Sequence, residues 1–249
     1  MGKVLGVGNT ATVYEWGTDE QQVLKLFHSG YPESAVELEY HNALALNALD
    51  LPKPRAYELV HHDGQTGILY DRAKGEPLDA WVMQSQDLAG CARHMAQLHQ
   101  AVLRHTLQDI PDYKGFLAYH LQHMPAGHEA RQQAALQLLE SLPDGDTVCH
   151  GDFHPGNILI ADGQTILIDF MNICRGPALY DVARTVFLVQ YTPVPPGDMD
   201  HDMLVQLKKT LADLYLAEMQ ITREQIADYL TVIRTARLGE NPDEPVAAG

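Results

Sequence analysis

The chain has 249 residues, 45% of them hydrophobic and 20% charged, which is long enough for one large domain or two modest lobes and too apolar for a disordered chain. Acidic side chains outnumber basic ones 33 to 17, a formal charge of -16, which repels phosphate backbones and argues against nucleic-acid binding. The same balance favours a cationic ligand, although solubility alone accounts for it.

Cys91, Cys149 and Cys174 are odd in number and lack CxxC spacing, so neither a disulfide framework nor a structural zinc is expected and a reducing compartment fits. No apolar run resembles a leader or a membrane span, and Gly6 stands where a myristoylation signal needs Ser or Thr. The expectation is a soluble, cytoplasmic protein with no membrane partner.

Along the chain, residues 3–27 read as strands: VLGVG and TATVYEW are β-rich and broken by glycines, and QQVLKLF resumes the extended pattern after a turn at 17–20. Apolar spacings of three and four predict a helix over 33–49, ended by Pro52 and Pro54. RAYELVHH and TGILYDR predict two more strands joined by a turn at Asp63-Gly64. Beyond residues 70–75 the pattern becomes helical at 86–106, at 128–141 and from about 177 onward, with a Pro-rich break at 193–198 and a frayed tail at 241–249. A short β region at 146–169 is split by a polar loop. The expectation is an α+β fold, with a β-rich front over 1–72 and an α-rich back over 73–249.

The most informative segment is CHGDFHPGNILIADGQTILIDF, residues 149–170. Apolar flanks suggest two strands, with His150, Asp152, His154 and Asn157 in a loop between them and Asp169 ending the second strand. A hairpin lets Asn157 and Asp169 meet at one end, with Asp152 facing the same point. Phosphoryl transfer needs such a set: two oxygen ligands, Asn157 and Asp169, for the Mg²⁺ that neutralises a triphosphate, and a metal-free carboxylate, Asp152, to aim and deprotonate a hydroxyl. Upstream, Gly6 and Gly8 in GVGNTATVY let backbone approach phosphates, Lys25 can reach the α- and β-phosphates, and Glu37 or Glu39 can pair with it. Glycine loop, lysine, helical glutamate, Asp, Asn, metal Asp is the order of the protein-kinase signature set.

HGDFHPGNILI followed by LIDF resembles the aminoglycoside phosphotransferase and choline kinase superfamily, as do GEPL (75–78), MAQLH (95–99) and RGPALYDVAR (175–184). The resemblance covers roughly residues 4–190. It implies a protein-kinase-like two-lobed fold, with a small antiparallel β N-lobe and a mostly helical C-lobe, that binds ATP and Mg²⁺. It implies Asp152 as catalytic base, Asn157 and Asp169 as metal ligands, Lys25 on the phosphates with Glu39 as its partner, and adenine held by backbone near Leu69 to Arg72, including Asp71. Asp181 would tie the catalytic loop to a C-lobe helix. Ala11 replaces a third loop glycine and Met171 replaces the glycine of DFG, which argues for a small-molecule kinase rather than a regulated protein kinase.

The acceptor, a small molecule with a hydroxyl, is expected over Asp152, walled by helices of 113–141 and 200–239. A cationic acceptor such as an aminoglycoside is favoured if Asp198, Asp200, Asp202, Asp213, Glu218, Glu224 and Asp228 face the cleft. Two other readings stand beside this one: a nucleotide-binding pseudokinase, and a metal-dependent hydrolase using His150, Asp152 and His154. His150 is otherwise expected to brace the loop, and His154 to pack or touch substrate.

Overall fold

The computed structural model describes residues 2–18, 20–194 and 200–244. A five-stranded antiparallel sheet opens the chain: β1 (Val4–Val7), β2 (Ala11–Trp16), β3 (Gln22–Phe27), β4 (Ala56–His62) and β5 (Gln65–Asp71), in the order β1-β2-β3-β5-β4. Helix α1 (Glu33–Leu46) is inserted between β3 and β4. The predicted Asp63-Gly64 turn closes the β4–β5 hairpin with both residues at positive φ, 49° and 77°, the two-residue turn whose twist matches paired strands.

The remainder is mostly helical. Strand β6 (Glu76–Pro77) leads into α2 (Leu78–Ser85) and α3 (Leu88–Val102), followed by α4 (Tyr113–Gln122) and α5 (Glu129–Ser141). Then come β7 (Thr147–Cys149), a 3-10 turn at Pro155–Asn157, β8 (Ile158–Ala161), β9 (Gln164–Leu167) and β10 (Cys174–Gly176). Helices α6 (Ala178–Gln190), α7 (His201–Met219) and α8 (Ala227–Glu240) complete the described chain. Helix α6 runs through the core with Tyr180, Val182, Ala183 and Val186 buried, and α3 and α7 pack together. This is the expected α+β arrangement, an antiparallel sheet in front and helices behind.

Three local expectations need correction. The helix predicted from residue 86 begins at Leu88, because Gln86 adopts a left-handed conformation (φ 59°) and the Asp87 side chain caps the new helix by accepting from the Gly90 N–H at 2.7 Å. Helix α2, two turns long, is too short to stand out by periodicity. The β region near the catalytic loop holds two pairings rather than one hairpin. Strand β7 pairs with β10, placing Cys149 opposite Cys174, and β8 pairs with β9 across an Asp162-Gly163 turn of the same positive-φ type. Strand β9 ends at Leu167, so Asp169 lies beyond it. The expected break at 193–198 lies mostly, and the tail partly, outside the described residues.

Candidate active site

The loop from His150 to Asn157 is anchored from beneath. Asp181, fully buried on α6, accepts the backbone N–H groups of His150 (2.6 Å) and Gly151 (2.9 Å). Burial works against its charge, but His99, His150 and the Gly151 N–H outweigh it and hold the carboxyl below its ordinary pKa. His99, also buried, bridges Asp181 (2.9 Å) and the Tyr215 hydroxyl (2.5 Å). One turn after Asp181, the buried Arg184 donates to the Gly151 carbonyl (3.0 Å) and forks onto Glu240 of α8. Gly151 sits at φ 73°, and a Cβ there would lie 2.2 Å from the Asn172 carbonyl oxygen, so only glycine lets the two loops close together.

The functional side chains emerge on top of this anchor. Asp152 accepts from Asn157 Nδ2 at 3.0 Å, and His154 Nε2 lies 3.7 Å from the same carboxylate. Burial disfavours the Asp152 charge, but His154, Arg184 and His150 together bring its pKa below the ordinary carboxylate value, so it is ionised near neutral pH. His150 is fully buried, bonded through Nε2 to the Ile168 carbonyl (3.2 Å), and burial lowers its pKa. His154 Nδ1 accepts from the Gly156 N–H at 3.1 Å.

Asn157 and Asp169 are brought together by the β8–β9 hairpin, where the Ile168 N–H donates to the Asn157 carbonyl at 3.0 Å. Asp169 has φ 67°, an unusual conformation for a residue other than glycine and one that recurs at functional sites. Its Oδ1 accepts from Lys25 Nζ at 3.0 Å. Lys25, on β3, also donates to both Glu39 oxygens at 2.7 and 2.9 Å, and the Tyr70 hydroxyl donates to Glu39 at 3.2 Å. Burial pulls the Lys25 pKa down, but Glu39 and Asp169 overcome it and leave the ammonium above its ordinary value. Contacts therefore run from Tyr70 through Glu39 and Lys25 to Asp169, and separately from Asn157 to Asp152, with the Ile168 N–H on the Asn157 carbonyl holding the two groups in neighbouring backbone.

Sequence reasoning missed two side chains in this assembly. Asn42, buried on α1 one turn after Glu39, donates to the Phe170 and Met171 carbonyls, both at 3.3 Å, tying the helix to the segment after Asp169. Arg184 grips the catalytic loop. The only available signals were spacings of three from Glu39 and from Asp181, which put each pair on one helix face.

The oxygen donors suit a hard cation. Asn157 commits its amide nitrogen to Asp152, which leaves Oδ1 as the ligand, and Asp169 Oδ2 has no hydrogen bond among the described residues. The described residues contain no group of three His, Cys, Asp or Glu side chains able to hold a metal, so His150, Asp152 and His154 do not form the hydrolase site considered from sequence. Two protein ligands completed by phosphate oxygens and water remain compatible with Mg²⁺.

Other sequence-predicted residues are placed as follows. Gly6 pairs opposite Val13, and the Gly8 N–H donates to the Ala11 carbonyl at 2.9 Å. A Cβ at Gly6 would meet nothing within 4 Å and one at Gly8 only the Ala11 oxygen at 3.5 Å, so packing demands glycine at neither position. Leu69 is buried inside the sheet opposite Leu24. The Asp71 N–H donates to the Arg55 carbonyl, its carboxylate takes the Tyr57 hydroxyl (2.7 Å) and the Arg55 N–H (3.2 Å), and the Arg72 N–H donates to the Gln21 carbonyl. The backbone outside the sheet begins after these residues.

Asp200 caps α7, Asp202 and Asp228 are exposed, Asp213 pairs with Arg223 and Glu218 with Arg93, and Glu224 is exposed; Asp198 lies outside the described residues. Among the described residues, no helix is long and apolar enough to cross a membrane.

Comparison with known proteins agrees with this geometry. An N-acetylmuramate/N-acetylglucosamine kinase of Pseudomonas aeruginosa is 32% identical over 132 residues, covering 51% of this chain and 36% of that protein, so the match spans well under half of its length. Among solved structures, a thermostable mutant of the aminoglycoside phosphotransferase APH(4)-Ia in ternary complex with ADP and hygromycin B superposes with a TM-score of 0.68 at 16% identity, over 96% of this chain and 85% of that one. Amicoumacin kinase hAmiN in complex with AMP-PNP, Ca²⁺ and Ami superposes at 0.62 with 18% identity, over 96% of this chain and 79% of that one. At such identities these neighbours establish the kinase-like fold. Residues 2–213 match the APH phosphotransferase enzyme family, and the chain therefore belongs to that family of phosphate-transferring enzymes.

Proposed function

We propose that this protein transfers the γ-phosphate of ATP to a hydroxyl of a small, sugar-like acceptor. The observation that carries the reading is the pair of contact sets, Glu39–Lys25–Asp169 and Asn157–Asp152, joined through the backbone by the Ile168 N–H on the Asn157 carbonyl, which supports a phosphate-binding cation, two oxygen ligands and a metal-free carboxylate in one site. In this reading ATP lies between the lobes 1–72 and 73–249. Gly6 and Gly8 leave the backbone open above the phosphates, Lys25 contacts the α- and β-phosphates, and the chain just beyond Arg72 receives the adenine. Asn157 Oδ1 and Asp169 hold Mg²⁺, which when bound neutralises the phosphates and draws charge off the leaving group.

Asp152 accepts a hydrogen bond from the acceptor hydroxyl and takes its proton as the bond to phosphorus forms. Its lowered pKa makes it a weak base, which suits a loose transition state in which aiming the hydroxyl matters more than deprotonating it early. Asn157 holds the carboxylate in place through its amide nitrogen, and His154 stands beside it. Asp181 and Arg184 fix the loop backbone, so the position of Asp152 does not depend on the substrate.

The acceptor assignment rests on chemistry shared by the relatives. The Pseudomonas kinase is named for N-acetylated amino sugars, and several of the structural neighbours are named for aminoglycosides. Two of the helical acids, Asp213 and Glu218, are paired with arginines, and the names of the relatives favour a sugar-like acceptor, amino or acylated. The test is transfer of labelled γ-phosphate from Mg-ATP to a panel of N-acetylated amino sugars, simple sugars, amino alcohols and aminoglycosides, with Asp152→Ala in parallel. Acceptor-dependent transfer that vanishes in the variant supports the reading, and nucleotide binding without transfer to any acceptor defeats it.

A further inference from the structure

An open cleft of about 610 Å³ lies between α5, the end of α6 and α8, and its lining includes no residue of the 150–157 loop. Tyr191, at its edge, follows Asp181 by ten positions, about 15 Å along a helix rising 1.5 Å per residue. The volume lies in the range of small-molecule pockets, roughly 300–1,000 Å³. Its chemistry runs against the rest of the protein. In a chain with 33 acidic and 17 basic residues, three arginines line this one space: Arg131 of α5, Arg223 of the α7–α8 connection and Arg234 of α8.

Arg223 is committed to Asp213 and Gln190. The other two are not committed to carboxylates. Arg234 lies over the Tyr191 ring, 4.7 Å from its centroid, and Arg131 makes one long bond, 3.4 Å, to the Thr235 hydroxyl. Among the described residues neither guanidinium forms an ion pair. Just beyond α6, the carbonyls of Thr192 and Pro193 are bound by Lys208 and not by these arginines. Two arginines held by neutral neighbours, with their donor edges unspent, beside a partly apolar wall that includes Leu230, make a receptor for an anion attached to a carbon body.

We propose that this cavity is a second ligand site, separate from the catalytic centre, that binds a small organic oxyanion through Arg131 and Arg234. The group recognised is a phosphoryl or a carboxylate, since both offer the paired oxygens that a guanidinium fork matches. Helix α8 connects the site to the catalytic loop: six residues after Arg234, Glu240 holds Arg184, which holds Gly151.

The test is a titration of the ¹⁵N-labelled full chain with inorganic phosphate, glucose 6-phosphate and citrate, reading the arginine Nε–Hε resonances, with Arg131→Gln and Arg234→Gln used to assign them. Saturable shifts of the Arg131 and Arg234 signals are expected, weakening with salt, with affinity falling about tenfold in either variant and lost in the double variant. Response to the phosphates alone would identify a phosphoryl site, and response to citrate alone a carboxylate site. Unmoved Arg131 and Arg234 signals with all three probes, or equal affinity in the double variant, would overturn the proposal. Both side chains are at least partly solvent-exposed, and an unchanged melting temperature in the variants separates lost binding from lost folding.

Discussion

The two sides of the candidate site are held by different kinds of contact. On the sheet side, Lys25, Glu39 and Asp169 hold one another by charge, side chain to side chain, with the Asp169 side chain 37% exposed. On the helical side, Asp181, Arg184 and His99 are fully or almost fully buried, and two of them grip loop backbone. In the proposed reading the exposed member of the first set, Asp169, changes partner when a phosphate or a metal arrives, while Glu39 stays buried on Lys25. The second has no alternative partners, because a buried group left without its hydrogen bond costs far more than an exposed one. One side is therefore built to respond to ligand and the other to keep Asp152 where it is, so substitutions on the two sides should fail differently.

The largest effect is expected at Asp181. Asp181→Ala strands two backbone N–H groups and His99 in the core, and should lower stability by about 3–5 kcal/mol in urea unfolding. A loss near zero would mean that the anchor is dispensable. Lys25→Met should do the reverse, reducing kcat/KM for Mg-nucleotide by about 10²–10³ while the urea midpoint moves less than in Asp181→Ala. Asn42→Ala is intermediate, releasing the 170–171 carbonyls at about 1–2 kcal/mol of stability, and should soften both measures together because it joins the two sides.

The smallest effect is in acid. Arg184 and Arg237 overcome the burial that opposes the Glu240 charge and hold its pKa at about 2. A depressed carboxyl stabilises the fold above its unfolded pKa of about 4.3, and that contribution is lost as pH falls from there through the folded value. Glu240→Gln should flatten the circular-dichroism stability profile between about pH 4 and pH 2. An unchanged slope would remove Glu240 from the clamp.

Much of this was legible in the sequence where chemistry is local. Asp63-Gly64 marks a hairpin through its own backbone preference, and the spacing of HGDFHPGN and LIDF marks the loop and the acidic residue that the fold brings beside it. Less was legible where partners are distant. Asn42 finds its carbonyls 128 residues away, and nothing near it in sequence distinguishes it from a surface asparagine. The acids of α7 and α8 read as a possible cleft lining because periodicity cannot separate a cleft-facing side of a helix from a solvated one, whereas each described member is capped, paired or exposed. Strand patterning likewise does not reveal which N–H groups around Asp71 the sheet uses.

The most direct measurement of the central claim compares Asp152→Ala and Asp169→Ala for Mg-nucleotide affinity and for phosphate transfer. The expected result is a split: Asp152→Ala keeps nucleotide affinity and loses turnover by about 10²–10⁴, whereas Asp169→Ala weakens Mg-nucleotide binding itself. Parallel losses of affinity and turnover in both variants would contradict the division of roles between a metal ligand and a metal-free carboxylate.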